Sequence, residues 1–331
     1  MRRTKGKACG KVPNSCLVAS NTGARKQVPE EDVIMVDVSI CVNCANTLGE
    51  GPLWDVTEQR LYWIDSMAPQ IWRCAVDGSD VRTWELPSMI GSMALREKGG
   101  AVLALANGFH FFDFESGALE LIAHPDEGTR HVRLNDGKVD SRGRFLAGTL
   151  DMDSIESEKP IARRGVLYRL DTDLSVHPLE QNISVTNGPC WSLDNRTFYL
   201  TESSDDIIYA YDWDEDSGTL ANRREFVRAA PQSIPDGATV DAEGFMWSTA
   251  NGAFTGYGEL RRYAPDGSLD RVVPMPSHKP TSVMFGGPDL DIAFVTTMRI
   301  PGTAEETPYD GTLLAVRGLG VRGVPERRFA G

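Results

Sequence analysis

A strand–turn–strand pattern that occurs six times limits the folds open to this 331-residue chain more than any other feature. In the first copy, an apolar run follows Glu50, a turn follows at Thr57–Gln59, and a run of aromatic and branched residues follows at Leu61–Ile64. Apolar runs separated by turn residues predict paired antiparallel strands. The later copies begin at Gly91, Asn135, Asn187, Asp236 and Thr281.

We call the residue at the start of each copy its index residue. Successive index residues are 41, 44, 52, 49 and 45 positions apart. Repeats of about 40 to 50 residues match a four-stranded propeller blade, and the strand-like alternation with frequent Gly and Pro excludes helical repeats. Six copies therefore predict an all-β chain folded as a six-bladed β-propeller.

The index residues are expected to lie close together in space. Each begins the first strand of its copy, and the first strand of a propeller blade is the one nearest the central channel. Four of the six carry a carboxylate or amide oxygen: Glu50, Asn135, Asn187 and Asp236. Asn, Asp and Gly are also ordinary turn residues. Turn formation does not require them to converge, so their placement predicts a polar site at one mouth of the channel.

Charge and hydropathy restrict the partners and the location. The net charge of −13 and the pI near 4.9 disfavour nucleic acid and anionic membranes, since both require a basic surface. A small neutral substrate, or a cation held by carboxylates, fits better.

No apolar run approaches the ~18 residues of a membrane span. The apolar run at Cys16–Ala19 is shorter than the ~7 residues of a signal peptide core, so a cytoplasmic protein is expected. The sequence leaves the oligomeric state open.

The continuous repeat predicts one domain over residues 32–331. Residues 1–31 are basic and poor in large apolar side chains, and we expect a disordered extension there. Asp32–Val42 has the pattern of a strand that precedes the first copy. We expect it to pair beside Gly311–Arg317, because a propeller commonly closes its ring in this way and leaves no sheet edge open.

The cysteines and histidines do not form a metal signature. Cys41 and Cys44 are separated by two residues but have no second pair at zinc-finger spacing. A redox-active pair at these positions would lack the usual βαβ context. The five histidines are scattered and none is an index residue, which makes a histidine-rich zinc site unexpected.

Longer motifs carry a family resemblance over residues 33–331. They are GEGPLWD with RLYWID, RLNDGKVDSRGRFLAGT, TNGPCWS with YLTES, ANRREF, IPDGATVDAEGFMW, PTSVMFGG and GVRGVPERRFAG. Together they resemble the family of gluconolactonase, regucalcin (senescence marker protein) and luciferin-regenerating enzyme. The motifs are spread over five of the six copies and the end of the chain, so the resemblance is more specific than any one short pattern.

The resemblance implies a six-bladed propeller with one divalent metal at the channel mouth. By matching motifs, Glu50 of GEGP, Asn187 of TNGP and Asp236 of IPDG are the implied metal ligands. Arg133 and Asn135 of RLND are the implied substrate contacts. Carboxylate and amide oxygens suit Ca²⁺ best and also Mg²⁺ or Mn²⁺, while family sites tolerate Zn²⁺.

The implied reaction is hydrolysis of a sugar-acid lactone, an aldono-1,4- or 1,5-lactone such as gluconolactone. Asp236 is the implied general base, with metal-bound hydroxide as the alternative. The metal and Arg133 would stabilise the negative charge that develops on the carbonyl oxygen. Asp153, with Asp151 as its neighbour, would bind sugar hydroxyls or belong to a solvated loop.

Two departures from the family pattern leave the substrate open. Glu202-Ser203 stands where the family commonly has Asp-Ser, and the loop Met152–Arg164 is particular to this chain; we expect it to overhang the channel mouth. Two other functions remain possible on the same scaffold, a calcium-binding regulatory protein and an organophosphate-type esterase. Arg133 and Asn135 favour an enzyme, because a calcium buffer needs no substrate-facing arginine beside its site.

Overall fold

The computed structural model describes residues 36–129, 131–153, 163–230, 233–252, 256, 258–299 and 306–331. These residues belong to one unit that spans Ile34–Gly331. The predicted extension at residues 1–31 lies outside the described residues, as does most of the loop predicted to overhang the channel. Within the described ranges, no helix is long and apolar enough to cross a membrane.

The described residues are almost entirely strands and turns. A single short 3₁₀ helix among them covers Ser203–Asp205. The strands are β1 Asp37–Val42, β2 Gly49–Asp55, β3 Arg60–Asp65, β4 Gln70–Cys74, β5 Arg82–Glu85, β6 Ile90–Leu95, β7 Ala101–Leu105, β8 Gly108–Phe112, β9 Leu119–Ala123, β10 Val132–Val139, β11 Phe145–Asp151, β12 Gly165–Leu170, β13 Val176–Ile183, β14 Thr186–Trp191, β15 Thr197–Glu202, β16 Ile207–Asp214, β17 Thr219–Arg228, β18 Ile234–Val240, β19 Met246–Asn251, β20 Glu259–Tyr263, β21 Leu269–Pro274, β22 Pro280–Gly286, β23 Ile292–Thr297 and β24 Leu313–Arg317.

The strands form six antiparallel sheets of four strands each. Five sheets take four consecutive strands, from β2–β5 to β18–β21, and the sixth has the order β22-β23-β24-β1. The first strands of the sheets contact one another in a closed ring, β2-β6-β10-β14-β18-β22 and back to β2. The predicted six-bladed β-propeller is therefore confirmed, and each sequence copy supplies the inner two strands of one blade.

The ring is closed by strands from distant parts of the sequence. β1 pairs with β24, with Asp37 opposite Arg317 and Ile40 opposite Leu314. β1 is thus the outermost strand of the sixth blade, which otherwise consists of residues from the end of the chain.

The core lies between neighbouring blades. The ring of Trp54 in the first blade stacks on Phe294 in the sixth, with centroids 6.3 Å apart, and Phe109 meets Phe145 edge-on between the second and third blades. Because each sheet buries both faces in this way, the inner strands are apolar along most of their length rather than strictly alternating.

A segment at the end of the chain, residues 318–331, runs along the end of the channel opposite to the index residues. Phe329 N donates to Leu95 O at the end of β6 (2.8 Å), and Ala330 N donates to Gly143 O beyond β10 (3.0 Å). Gly323 N donates to Leu290 O beyond β22 (2.8 Å). The index residues lie in the first half of the inner strands, so this C-terminal segment ties the blades together at the far end.

Candidate metal and substrate site

Each of the six inner strands carries a β-bulge at its index residue or directly after it. In the third blade, for example, Leu134 pairs with Thr149 and Gly137 pairs with Ala147, so that Asn135 and Asp136 together lie opposite Gly148. The register shifts at the equivalent point of the other five pairs. A bulge interrupts the alternation of side chains and re-aims the residue beside it. The bulges therefore allow polar index side chains to point where a regular strand would place backbone or apolar groups.

Three carboxylates interact at this end of the channel. Burial, followed by the charges of Asp236 and Asp136, raises the pKa of Glu50 well above its ordinary value. Burial, followed by the charge of Asp136, likewise raises the pKa of Asp236 well above its ordinary value. Both shifts reflect desolvation together with like charges that are held close to one another.

Asp136 is held by backbone amides. Its two carboxylate oxygens accept hydrogen bonds from Gly137 N and Gly188 N, each at 2.8 Å. Gly188 follows Asn187, has φ +53°, and belongs to the next blade. Asp136 therefore fixes the bulge that follows Asn187 while adding a third negative charge to the site.

A chain of hydrogen bonds connects the other polar residues. Arg133 Nη1 donates to Asn135 Oδ1 (2.9 Å), and Asn135 Nδ2 donates to Asn187 Oδ1 (2.8 Å) and to Thr186 O (2.8 Å). Asn187 Nδ2 donates to Ser203 Oγ (2.9 Å). The four residues whose side chains form this series of hydrogen bonds are each at most 9% exposed: Arg133, Asn135, Asn187 and Ser203. The structure therefore brings Arg133, Asn135 and Asn187 together, with the carbonyl and amide ends of both asparagines defined by their partners.

The two remaining index residues have structural roles. A Cβ on Gly91 would lie 2.5 Å from both Asn135 Cα and Leu134 O, so only glycine permits the second blade to approach the third this closely. Thr281 Oγ1 donates to Gly49 O (2.5 Å) and meets Thr296 Oγ1 (2.9 Å) between the sixth and first blades.

The residues present fit a divalent cation. Glu50, Asp236 and Asn187 offer two carboxylates and one amide, the oxygen donors that hard cations prefer. Asp236 Oδ1 is buried and finds no hydrogen-bond partner among the described residues. A buried oxygen of this kind costs free energy unless a hydrogen bond or a cation satisfies it. Within the described ranges, no three His, Cys, Asp or Glu side chains are grouped so that they could hold a metal ion. The donor set here instead combines two acids with an amide.

Asp153 lies in a different group of charged residues. It forms an ion pair with Arg164 (2.6 Å) and lies 3.2 Å from His131 Nδ1, with about a third of its side chain exposed. Arg164 also pairs with Asp151, and Arg163 pairs with Asp205. In the part of the chain that the structure describes, Asp153 makes no hydrogen bond with the three predicted metal ligands.

Two residues of the site were not predicted from the sequence. Asp136 follows index residue Asn135, and only the bulge, which the sequence does not reveal, places both on the channel side. Ser203 was noted only as part of a departure from the family pattern. Its oxygen donates to Pro235 O (2.8 Å) while it accepts from Asn187, and a serine after the second strand of that blade was the available sign.

Comparisons with known proteins agree with this architecture. The profile of the SMP-30/Gluconolactonase/LRE-like region matches residues 48–299. The 6-deoxy-6-sulfogluconolactonase of Pseudomonas putida is 37% identical over 292 residues, which cover 86% of this chain and 96% of that protein. Regucalcin of Xenopus laevis is 34% identical over 303 residues, covering 89% and 99%.

Solved structures match over most of the chain. A luciferin-regenerating enzyme aligns with a TM-score of 0.82 at 25% identity, covering 90% of this chain and all of that one. A calcium-binding regucalcin of Agrobacterium tumefaciens aligns with a TM-score of 0.79 at 23% identity, covering 88% and 96%, which supports the shared fold. The chain therefore belongs to the SMP-30/gluconolactonase/LRE-like family.

Proposed function

We propose that this protein is a metal-dependent lactonase that hydrolyses an aldono-1,4- or 1,5-lactone, such as gluconolactone, to the aldonic acid. Lactone hydrolysis follows from the family and from the similarity to a sulfogluconolactonase. The observation that carries the metal-dependent reaction is the buried, unpartnered Oδ1 of Asp236 beside Glu50, at the same end of the channel as Arg133.

Glu50, Asn187 and Asp236 would hold the metal, with Ca²⁺ as the first candidate and Zn²⁺, Mn²⁺ or Mg²⁺ as the others. A cation bound there would act as a Lewis acid toward the lactone carbonyl. The regucalcin structure described as calcium-binding supports the choice of Ca²⁺. Asp136 would add negative charge beside the metal, held in place by the backbone amides that donate to both of its oxygens.

Asp236 would accept the proton of the attacking water. It would do so through the carboxylate oxygen that is not committed to the metal.

Arg133 would stabilise the oxyanion that forms on the carbonyl oxygen. Its Nη1 is already committed to Leu134 O and Asn135 Oδ1, whereas its Nε is buried and has no partner among the described residues. Glu50 lies close enough to favour the charged form of Arg133, although burial lowers its pKa to about 10. The guanidinium therefore remains charged at neutral pH.

Asn135 and Asp153 would contact sugar hydroxyls. Both N–H groups of Asn135 are used inside the site, so Asn135 would act through the second lone pair of Oδ1 as an acceptor. Asp153 would reach the substrate from the charged group at the rim, where Arg164 holds it.

Acid release in a weakly buffered solution tests the proposal. Chelator-treated protein is given glucono-, galactono-, arabinono-, xylono- or 6-deoxy-6-sulfogluconolactone, with and without Ca²⁺, Zn²⁺, Mn²⁺ or Mg²⁺, and the background hydrolysis is subtracted. We expect turnover to return with one or more cations. Asp236→Asn should abolish it, while Asp212→Asn, an exposed aspartate on β16, should leave it unchanged.

The outcome separates the alternatives. Turnover by Asp236→Asn at the wild-type rate would show that Asp236 is not the general base. Tight Ca²⁺ binding without hydrolysis of any lactone would favour the regulatory protein, and turnover of a phosphoester in its place would favour the esterase.

A further inference from the structure

Three cysteines lie near one another where the propeller ring closes. Cys41 lies on β1, the closing strand, Cys74 is the last residue of β4 in the first blade, and Cys44 lies between β1 and β2. All three are free thiols that belong to one packed cluster, in which Cys74 is fully buried while Cys41 and Cys44 are partly exposed. None of them takes part in the proposed reaction.

A bulge turns Cys41 toward the first blade. Ile40 pairs with Leu314 and Val42 pairs with Leu313, so Cys41 is the extra residue of β1. The Cys41 and Cys74 thiols are close enough for each to shift the pKa of the other. The backbone of Cys41 also packs on the turn after β4, where a Cβ on Gly78 would lie 2.1 Å from Cys41 O and 3.3 Å from its Sγ. The two blades are therefore in direct contact at this cysteine.

Cys44 is engaged elsewhere. Its Sγ lies 3.0 Å from Asn46 Oδ1 and 3.3 Å from Gly311 O, on the connection that leads to β2. Burial raises the pKa of Cys44 to about 11. The two-residue spacing of Cys41 and Cys44 in the sequence therefore does not identify the pair that meets in the structure.

We propose that Cys41 and Cys74 form a reversible disulfide that fastens the closing strand of the sixth blade to the first blade. This inference goes beyond the lactonase reaction and does not depend on it. A bond between these residues joins a strand of the sixth blade covalently to a strand of the first, whereas the β1–β24 ladder lies within the sixth blade.

The reaction requires an oxidant such as a low-molecular-weight disulfide. The Cys41 thiolate attacks one sulfur of that disulfide and displaces the other as a thiolate, which gives a mixed disulfide at Cys41. The Cys74 sulfur then attacks Cys41 Sγ and displaces the second small thiol. The protein loses two protons and two electrons, and the oxidant is reduced to two thiols.

Cys41 is suited to be the attacking residue. The neighbouring Cys74 thiol and, more weakly, the charge of Arg317 lower its pKa, although burial opposes them, whereas the pKa of Cys74 is raised. A thiolate, not a thiol, is the nucleophile, and Cys41 is the more exposed of the two.

Peptide mapping in glutathione redox buffers tests the proposal. The full-length chain with Cys9→Ser and Cys16→Ser is used as the parent, because those two cysteines lie outside the described residues. Equilibrated samples are alkylated, digested without reductant and analysed by mass spectrometry. We expect a peptide that links Cys41 to Cys74, lost in Cys41→Ser and in Cys74→Ser but retained in Cys44→Ser.

Thermal unfolding supplies a second measurement. The oxidised parent should melt several degrees above its reduced form, since a cross-link restricts the unfolded chain, and this difference should vanish in Cys41→Ser. The proposal is wrong if Cys41 and Cys74 remain fully alkylated at every glutathione ratio. A link that maps to Cys41 and Cys44 would also overturn it.

Discussion

Ser203 helps to fix how Asn187 faces the candidate metal site. Ser203 Oγ accepts from Asn187 Nδ2 and donates to Pro235 O, so the amide nitrogen is held toward Ser203 and the oxygen points away from it. Residues that orient metal ligands commonly contribute about 10- to 100-fold to metal affinity. The role of Ser203 can be separated from that of its neighbour, Ser204, which bonds to Glu202 Oε1 (2.5 Å).

We predict that Ser203→Ala weakens Ca²⁺ binding by about 10-fold or more, because the Asn187 amide loses the acceptor that orients it. Isothermal titration calorimetry on chelator-treated protein measures the affinity directly. Ser204→Ala is the matched control and should bind Ca²⁺ as the wild type does. Equal affinities for the two variants would show that Asn187 is oriented without Ser203.

A buried histidine makes stability depend on pH. His110 on β8 is 4% exposed, and its Nδ1 lies 3.0 Å from Gly108 O. Burial lowers the pKa of His110 in the folded state. Its neutral form is therefore favoured by folding, and the resulting stability is present above the unfolded pKa of about 6.5 and is lost as the pH falls through the lower folded value.

We predict that the wild type loses more stability than His110→Gln between pH 7.5 and pH 5.5. Glutamine keeps a polar side chain of similar size but cannot titrate. Urea unfolding at the two pH values gives the free energies of unfolding for both proteins. A pH-dependent loss of the same size in both would assign it to other groups.

At the scale of the strand, close approach of the inner strands determines which residues can stand at the channel mouth. Gly91 on β6 touches the backbone of β10 at Leu134 and Asn135. A methyl group there must push β10 away, and overpacking of this kind typically costs about 1–3 kcal/mol. Because β10 carries Arg133, Asn135 and Asp136, displacement of this strand would disturb the site as well as the fold.

We predict that Gly91→Ala lowers both the melting temperature and the Ca²⁺ affinity. Gly99→Ala is the control: Gly99 has φ +87° and meets no atom within 4 Å, so alanine strains the backbone there without touching β10. That control should lower the melting temperature alone. Wild-type Ca²⁺ affinity in Gly91→Ala would mean that β10 tolerates the displacement.

The same strands show what could be predicted from the sequence. Strand patterns and a repeat of 41 to 52 residues are local properties, and they were enough for the fold class and for the index residues. The bulge that places Asp136 beside Asn135, the close approach at Gly91 and the contact of Ser203 with Asn187 depend on neighbours 16 to 52 positions away or on backbone geometry. None of these leaves a periodic pattern, so sequence reasoning could not reach them.

At the scale of the whole molecule, the C-terminal segment holds together blades that are far apart in sequence. Phe329 is completely buried in the cluster between the second and third blades that also contains Phe109 and Phe145, and its ring contacts Phe111 with centroids 6.4 Å apart. Its backbone bonds to both sides of Arg96, at Leu95 O and Glu97 N. The segment lies at the carboxyl ends of the inner strands, whereas Glu50 and Asn187 lie near the amino ends of β2 and β14. Stability and metal binding should therefore respond differently to a change in this segment.

We predict that Phe329→Ala lowers the free energy of unfolding by about 3–5 kcal/mol, the usual cost of removing a buried phenylalanine side chain. The Ca²⁺ affinity of the folded protein should stay within a factor of about two of the wild type, because the lost side chain lies at the opposite end of the channel. A twofold change in affinity is well under the ~1.4 kcal/mol that a tenfold change represents. Urea unfolding and calorimetric titration measure the two quantities on the same preparation.

Arg327→Ala, at an exposed position of the same segment, should change neither the free energy of unfolding nor the Ca²⁺ affinity. A large loss of Ca²⁺ affinity in Phe329→Ala under conditions where the protein remains folded would show that the far end of the channel controls the site, and that the ring responds as one unit rather than as separable ends.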